Sequence, residues 1–407
     1  MLGSAYARDW HEENKKRQAG EHEIDRLVEG EIVRNPAGEH FTAVSTCPLD
    51  RVHGAHRLSD TLSVSPAAIA VVGNDSELAA MDMSEAAFVD TETTGLAGGT
   101  GTYAFLVGVG RFTDADTFEV RQYFMRDYDE EQAMLTSLAA WLQDVPALVT
   151  YNGKTFDVPL LQTRFITARL PVDLDGLLHL DLLHAARRLW KRRLGDCTLA
   201  NIEHHVLDVE RTGDVPGSEI PQLYFDYLRS RDARPLVPAF RHNRTDVLSM
   251  VTLTAAACHL TEGYGDQCAH ADDRLSLARL YFRRGEMSPA VDHAVRLLDD
   301  RELDRDARRE ALYLAGFAFK RQLEWDASGR IWRQLVDEFP DEMLPRIELA
   351  KYYEHRAHEL RRAEQVCVDA LNFVRTTAEM HGEQPDDTFI EDLSHRLARI
   401  RRKMDRG

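Results

Sequence analysis

The chain has 407 residues, too long for one ordinary domain and suited to two or three. Its 43% hydrophobic and 29% charged content is that of a soluble globular protein, and the net charge of −18 excludes long-range attraction of nucleic acid by the whole molecule. Any such ligand needs a local basic patch or metal ions. Five scattered cysteines, odd in number and without a C-x-x-C pair, argue for a reducing compartment and against a disulfide framework or a structural zinc site. Cys268 with His270, and His53 with His56, are half-sites without partners.

The stretch "MLGSAYARDWHEENKKRQAGEHEIDRL" is polar and mixed in charge, with no apolar core of a signal peptide. No apolar run approaches the ~18–20 residues of a membrane span. A cytoplasmic protein without membrane association is expected. Residues 1–80 read as an N-terminal extension: a charged helical segment, then a small hairpin around the Pro-Ala-Gly turn of "GEIVRNPAGEHFTAV", packing on the main domain.

A domain is expected over 81–265. "AAFVD" from residue 86 is a buried strand, followed by strands "AFLVGVGRF" and "FEVRQYFM". "DEEQAMLTSLAAWLQDV" has helical spacing at Met134, Leu135, Leu138, Trp141 and Leu142. The strand "ALVTYN" and the helix "DVPLLQTRFITARL", opened by Asp157 and Pro159, come next. "HLDLL", the helical "HAARRLWKRR", "CTLANIEHHVL" and a long helix over about 237–262 complete it. Three strands, helix, strand, helix is an α/β mixed sheet flanked by helices.

Over 270–407 Ala, Leu, Arg and Glu replace glycine and β-branched residues. "LARLYFRRGEMSPAV" from 277, "LAGFAFKRQLEWDAS" from 314 and "LAKYYEHRAHELRRA" from 349 correspond. Ala278, Ala315 and Ala350 align, as do Ala290, Ala327 and Ala363. The period of about 35–37 residues is close to the tetratricopeptide repeat, with the turn glycine present only as Gly285. The alternative is an ordinary helical bundle.

Asp90 and Glu92 stand two apart, so an extended strand points both to one face at its C-terminal end. Like charges placed together need a cation, and hard oxygen ligands suit Mg²⁺ or Mn²⁺. Asp157 follows the next buried strand, and Asp246 lies in the long helix with His242 four residues earlier on the same face. Four carboxylates so distributed suit a centre of two ions flanking a scissile phosphate, with His242 as the group that orients or deprotonates water. Each acid also has a structural alternative as a cap or a solvated side chain.

"FVDTETTGL", "TYNGKTFDVPLL" and "HNRTDVLSM" resemble the three exonuclease motifs of the DEDD superfamily, which has a ribonuclease H-like fold. With "HLDLLHAARRLWKRRL" and "DVPGSEIPQLYFDYL" they resemble the YprB-like ribonuclease H-like family, some members of which carry C-terminal tetratricopeptide-like repeats. The resemblance implies a nuclease core, a 3′–5′ exonuclease acting on single-stranded DNA or RNA or on a 3′ end, with Asp90, Glu92, Asp157 and Asp246 as metal ligands. In the superfamily a histidine precedes the last aspartate by five residues and a tyrosine by four. Here His242 takes the tyrosine spacing, so its role is either general base or a supporting side chain.

Thr93 and Leu96 sit where family members contact the terminal nucleotide. Tyr151 and Asn152 line the groove, unless Asn152-Gly153 is simply a turn. "RRLWKRR" at 187–193 is a basic patch around Trp190 that offers Arg188 and Lys191 to a strand, unless it is a solvated face with Trp190 turned inward. Lys154 is a further phosphate contact. The glycines of "GLAGGTGTY" lead to a strand, not to a helix, so they are not a P-loop. The competing class of function is a scaffold: nucleic acid held by the first domain, and a protein partner bound by the repeats.

Overall fold

The computed structural model describes residues 22–95, 100–114, 116–263, 270–381 and 387–406. The expected charged helix before residue 22, together with Leu96 and Cys268, lies outside them. The chain divides into two compact units, Met1–Gln267 and Cys268–Gly407. Among the described residues no helix is long and apolar enough to cross a membrane.

The first unit holds strands β1 (Glu31–Asn35), β2 (Gly38–Pro48), β3 (Val52–His53), β4 (His56–Arg57), β5 (Ala87–Thr93), β6 (Ala104–Asp114), β7 (Thr117–Phe124), β8 (Ala147–Thr150) and β9 (Leu178–Asp181). Seven of them form one sheet in the order β1-β2-β7-β6-β5-β8-β9, and β3-β4 form a separate hairpin. The β1–β2 hairpin turns at Pro36-Ala37, and β2 pairs antiparallel with β7. Residues 31–48 therefore widen the same sheet. The five strands β1, β2, β7, β6 and β5 are joined antiparallel, and β5, β8 and β9 run parallel.

The helices of eight residues or more in this unit, among the described residues, are α1 (Pro66–Gly73), α2 (Glu131–Leu142), α3 (Asp157–Thr167), α4 (Leu182–Leu189), α5 (Ile220–Ser230) and α6 (Val237–Glu262). Pro238 in the first turn and Gly263 in the left-handed conformation delimit α6, whose 26 residues span about 39 Å. It packs along β5 and β6. The opposite face of the sheet buries Met134, Leu138, Leu161 and Phe165 from α2 and α3, together with Tyr224 of α5, which stacks on Phe105 at 4.0 Å. Apolar packing of both faces is the main source of stability in such a layered unit.

The second unit is helical: α7 (Ala271–Arg284), α8 (Met287–Leu298), α9 (Arg305–Arg321), α10 (Trp325–Glu338), α11 (Met343–His355), α12 (Leu360–His381) and α13 (Asp387–Met404). Consecutive helices pack in pairs, as helical repeats do. Gly285, Leu323 and His358 take positive φ, and each stands two residues before the second helix of its pair. The turn thus needs the left-handed conformation three times, and only once does glycine supply it. This turn also corrects the alanine alignment. The fourth residues of the second helices are Ala290, Ser328 and Ala363, all buried, whereas Ala327 is half-buried. The hydroxyl of Ser328 donates to Gly316 O at 3.0 Å, which lets a polar residue take the small-residue position.

Candidate active site

β5 begins in the core with Ala87, Phe88 and Val89, all buried, and carries Asp90 and Glu92 as it reaches the sheet's edge. Its parallel neighbour β8 runs in register, Phe88 opposite Val149, so both strands deliver their C-terminal ends to the same side. In open α/β sheets that is where ligands bind. The segment after β8 turns at Asn152, whose φ is +68°, and starts α3 at Asp157. Alternation along β5 sends Thr91 to the face opposite Asp90, and its hydroxyl donates to Asp157 Oδ1. A register shift between Glu92 and Thr93 ends the regular ladder there.

A cleft of about 480 Å³ is lined by Asp90, Thr93, Tyr151, Asn152, Phe156 and Asp157, among others. Asp90 accepts from Asn243 Nδ2 of α6 at 2.7 Å, and the same amide reaches Asp90 O at 3.2 Å. Gln122 of β7 orients it by donating to Asn243 Oδ1 at 2.8 Å. The pair of Asp90 in the β5–β6 ladder is Gly108, where a Cβ would come within 2.3 Å of Asn243 Oδ1. The glycine makes the space in which Asn243 reaches the carboxylate.

Burial first, then the charges of Asp246 and Asp157, holds the Asp90 carboxyl well above the usual range, against the pull of the Asn243 amide. Burial, followed by Asp90, Asp246, Asp157 and Asp214, does the same to Glu92. Burial pushes Asp157 up to about 6 despite the Thr91 hydrogen bond. Asp246 is also raised, because burial outweighs the neighbouring Arg211 and His242. The four acids expected from sequence are thus all buried and raised, and Asp90 and Glu92 feel the charges of Asp157 and Asp246.

Arg211, which sequence reasoning missed, joins α6 to the segment before it. Its Nε donates to Glu203 Oε2 at 2.5 Å, Nη2 to Glu203 Oε1 at 2.6 Å and to Asp246 Oδ1, and Nη1 to Asp214 Oδ2 at 3.0 Å. Glu203 is buried and also accepts from Ser249. His242 Nδ1 lies 3.0 Å from both oxygens of Asp214, and its Nε2 lies 3.7 Å from Asp246 Oδ2. The i,i+4 spacing brings His242 and Asp246 together as expected, and Asp214 orients the ring. Burial favours protonated Asp214, but the bonds from Arg211 and His242 outweigh it and hold its carboxyl below the usual range. Only the adjacency of "RTGD" to the acidic "DVPGSE" stretch hinted at these residues.

The donor set fits a hard cation: all-oxygen ligands, buried, each made less acidic chiefly by that burial. Arg211 supplies positive charge to Asp246 in the manner such a cation would. Among the described residues no three His, Cys, Asp or Glu side chains converge as they stand on one metal position. Asp90 is turned to Asn243, Asp157 to Thr91 and Asp246 to Arg211, each through one carboxylate oxygen.

The remaining expected residues separate. Asn152 is both turn and lining: its N–H donates to Asp181 Oδ1 at 2.8 Å while it borders the cleft. Lys154 donates its backbone N–H to Asp181 Oδ2 at 3.1 Å and is exposed. Tyr151 donates its hydroxyl to Cys197 O at 2.6 Å. Thr93 bonds Gly95 O at 3.0 Å. Arg188 turns away from the cleft to Val72 O at 2.6 Å, and Trp190 is buried. A second cavity, of about 440 Å³, shares Tyr151 and Asn152 with the first and is bordered by Lys191 and by Arg187, the cation that sequence reasoning did not select. The His53–His56 half-site closes internally: His53 bonds Ser249 at 2.8 Å and His56 lies 3.7 Å from Asp60.

Residues 87–258 match the family model described as the RNase_H superfamily, a span that contains all four acids and His242. The chain is also 33% identical over 324 residues to "Uncharacterized protein YprB" of Bacillus subtilis (strain 168), covering 78% of this chain and 74% of that one. On the strength of that match and that identity, borne on a mixed sheet flanked by helices, the chain belongs to the ribonuclease H superfamily and to the family of YprB within it.

Proposed function

We propose that the protein is a metal-dependent nuclease that hydrolyses phosphodiester bonds, acting as a 3′–5′ exonuclease on single strands in the cytoplasm. The observation that carries the reading is the group of four carboxylates from β5, α3 and α6, each raised in pKa at the end of one strand. A fold uses such costly burial of carboxylates where it has a function.

Asp90, Glu92, Asp157 and Asp246 would hold two Mg²⁺ or Mn²⁺ ions, which supply a water of lowered pKa and neutralise charge on the leaving oxygen. In the tautomer that donates Nδ1–H to Asp214, which would turn that nitrogen from Arg211 Nη1 at 3.1 Å, His242 would keep an Nε2 lone pair for the proton of the attacking water. Asn243 fixes Asp90, and Thr91 fixes Asp157. Tyr151, Asn152 and Thr93 border the cleft that receives the strand end, and Arg187 and Lys191 next to it neutralise a neighbouring phosphate.

The test is hydrolysis of 5′-labelled single-stranded DNA and RNA with Mn²⁺ or Mg²⁺. A ladder shortening from the 3′ end, lost in Asp90→Asn, is expected. No product from either polymer, with Asp90→Asn indistinguishable from the parent, overturns the reading in favour of a scaffold that binds nucleic acid and a protein partner.

A further inference from the structure

The helical unit contains a cavity of about 390 Å³ bordered by α9, α10, α11 and α13. Lys320, Lys351, Arg356, Arg396 and Arg399 bring five cations to it. The carboxylates of the same wall are turned inward. Glu348 accepts from Lys320 and from Lys351 at 2.9 Å, and Glu354 from Arg396 at 3.2 Å, Arg399 at 2.7 Å and Lys403 at 2.8 Å. Side-chain exposure is 6% for Glu348 and 0% for Glu354, against 40% for Lys351 and 42% for Arg399. Glu354 sits behind the wall, whereas Glu348 is part of the lining and is neutralised there by Lys320 and Lys351. Asp326, which accepts from Tyr352 at 2.8 Å, and Asp392, 3.9 Å from Arg396, lie nearby and still leave cations in excess.

One further feature points to a ligand. Arg356 lies 3.7 Å over the ring of Trp325, and among the described residues no carboxylate pairs with it. Trp325 and Tyr352 give the cavity flat apolar walls beside these cations.

We propose that this cavity binds a small organic phosphate of nucleotide size. Its volume lies at the lower end of small-molecule sites, roughly 300–1,000 Å³. Arg356, which no carboxylate among the described residues holds, offers the fork that matches phosphate oxygens, while Arg399, whose Nε and Nη2 are held by Glu354, and Lys351 add positive charge. The heterocycle packs against Trp325 and Tyr352. The site lies wholly within the helical unit and does not depend on the reading given to the acidic cleft.

The test is titration calorimetry of the full chain in EDTA, which suppresses binding at the acidic cleft. Adenosine monophosphate, adenosine, inorganic phosphate and a Glu-rich hexapeptide are the probes. The nucleotide is expected to bind at least about tenfold more tightly than adenosine or inorganic phosphate. Lys351→Ala/Arg399→Ala weakens it by at least about tenfold, and so does Arg356→Ala, which leaves no carboxylate unpaired. No nucleotide binding by the parent, equal binding by both variants, or binding of the acidic peptide in its place overturns the proposal.

Discussion

Arg211 donates through Nη2 to Asp246 on α6 while Nε and the same Nη2 are gripped by Glu203, whose carboxylate is buried behind it. One guanidinium therefore joins the acid cluster to the segment 203–214. Arg211→Gln leaves Glu203 with Ser249 as its main remaining partner. Breaking one side of a buried pair costs about 3–5 kcal/mol. A loss of that size in urea unfolding of the variant checks the pairing, and an unchanged midpoint refutes it.

The Asp157 carboxyl, raised from 3.8 to about 6, has a defined sign. Between these values the folded state binds more protons than the unfolded state, so its contribution to stability falls as pH rises through that window. At pH 7 the penalty is fully present; below pH 4 it is absent. In EDTA, Asp157→Asn is expected to be more stable than the parent by roughly 2–3 kcal/mol at pH 7, with the gap closing toward pH 4. Melting curves across that range measure it.

Divalent cation acts on the same repulsion. Mn²⁺ binding to the native state alone stabilises by about 2.7 kcal/mol at a hundred times its Kd. The parent is expected to melt at higher temperature with Mn²⁺, and Asp90→Asn to lose that rise while gaining stability in its absence. A Mn²⁺ shift of equal size in both proteins removes Asp90 from the ligand set.

Gly108 and Asn243 make a steric prediction. An alanine Cβ within 2.3 Å of Asn243 Oδ1 displaces the amide from Asp90 and from Gln122. Gly108→Ala is expected to cost about 1–3 kcal/mol and to lower kcat with little change in KM. Asn243→Ala, which clashes with nothing, lowers kcat without the overpacking cost. Nuclease kinetics and urea curves on the two variants separate these effects.

Adjacent cations are expected to behave differently. Arg187→Ala/Lys191→Ala raises KM for long single strands and flattens the salt dependence by about two phosphate contacts. Arg188→Ala frees Val72 O at the end of α1 and acts on stability, leaving KM unchanged. Equal KM values in the two variants contradict the arrangement.

Much of the site is local and therefore legible in sequence. An apolar run forces a buried strand, so "AAFVD" alone puts Asp90 and Glu92 at a strand's end, and helical periodicity alone puts His242 beside Asp246. Pro238 and Gly263 delimit the long helix for reasons contained within a few residues. Only the tertiary structure decided which cation meets which acid. Arg211, Glu203 and Asp214 find partners on α6 that lie 35, 46 and 28 residues further along the chain. Arg187 and Arg188 read alike in a basic run, yet successive helix positions lie about 100° apart, so one borders a cavity and the other caps α1. Ser328 displaced Ala327 because the left-handed residue at 323 sets where the next helix starts. Short-range periodicity determines the face a side chain takes; the partner it finds there depends on where the rest of the chain returns.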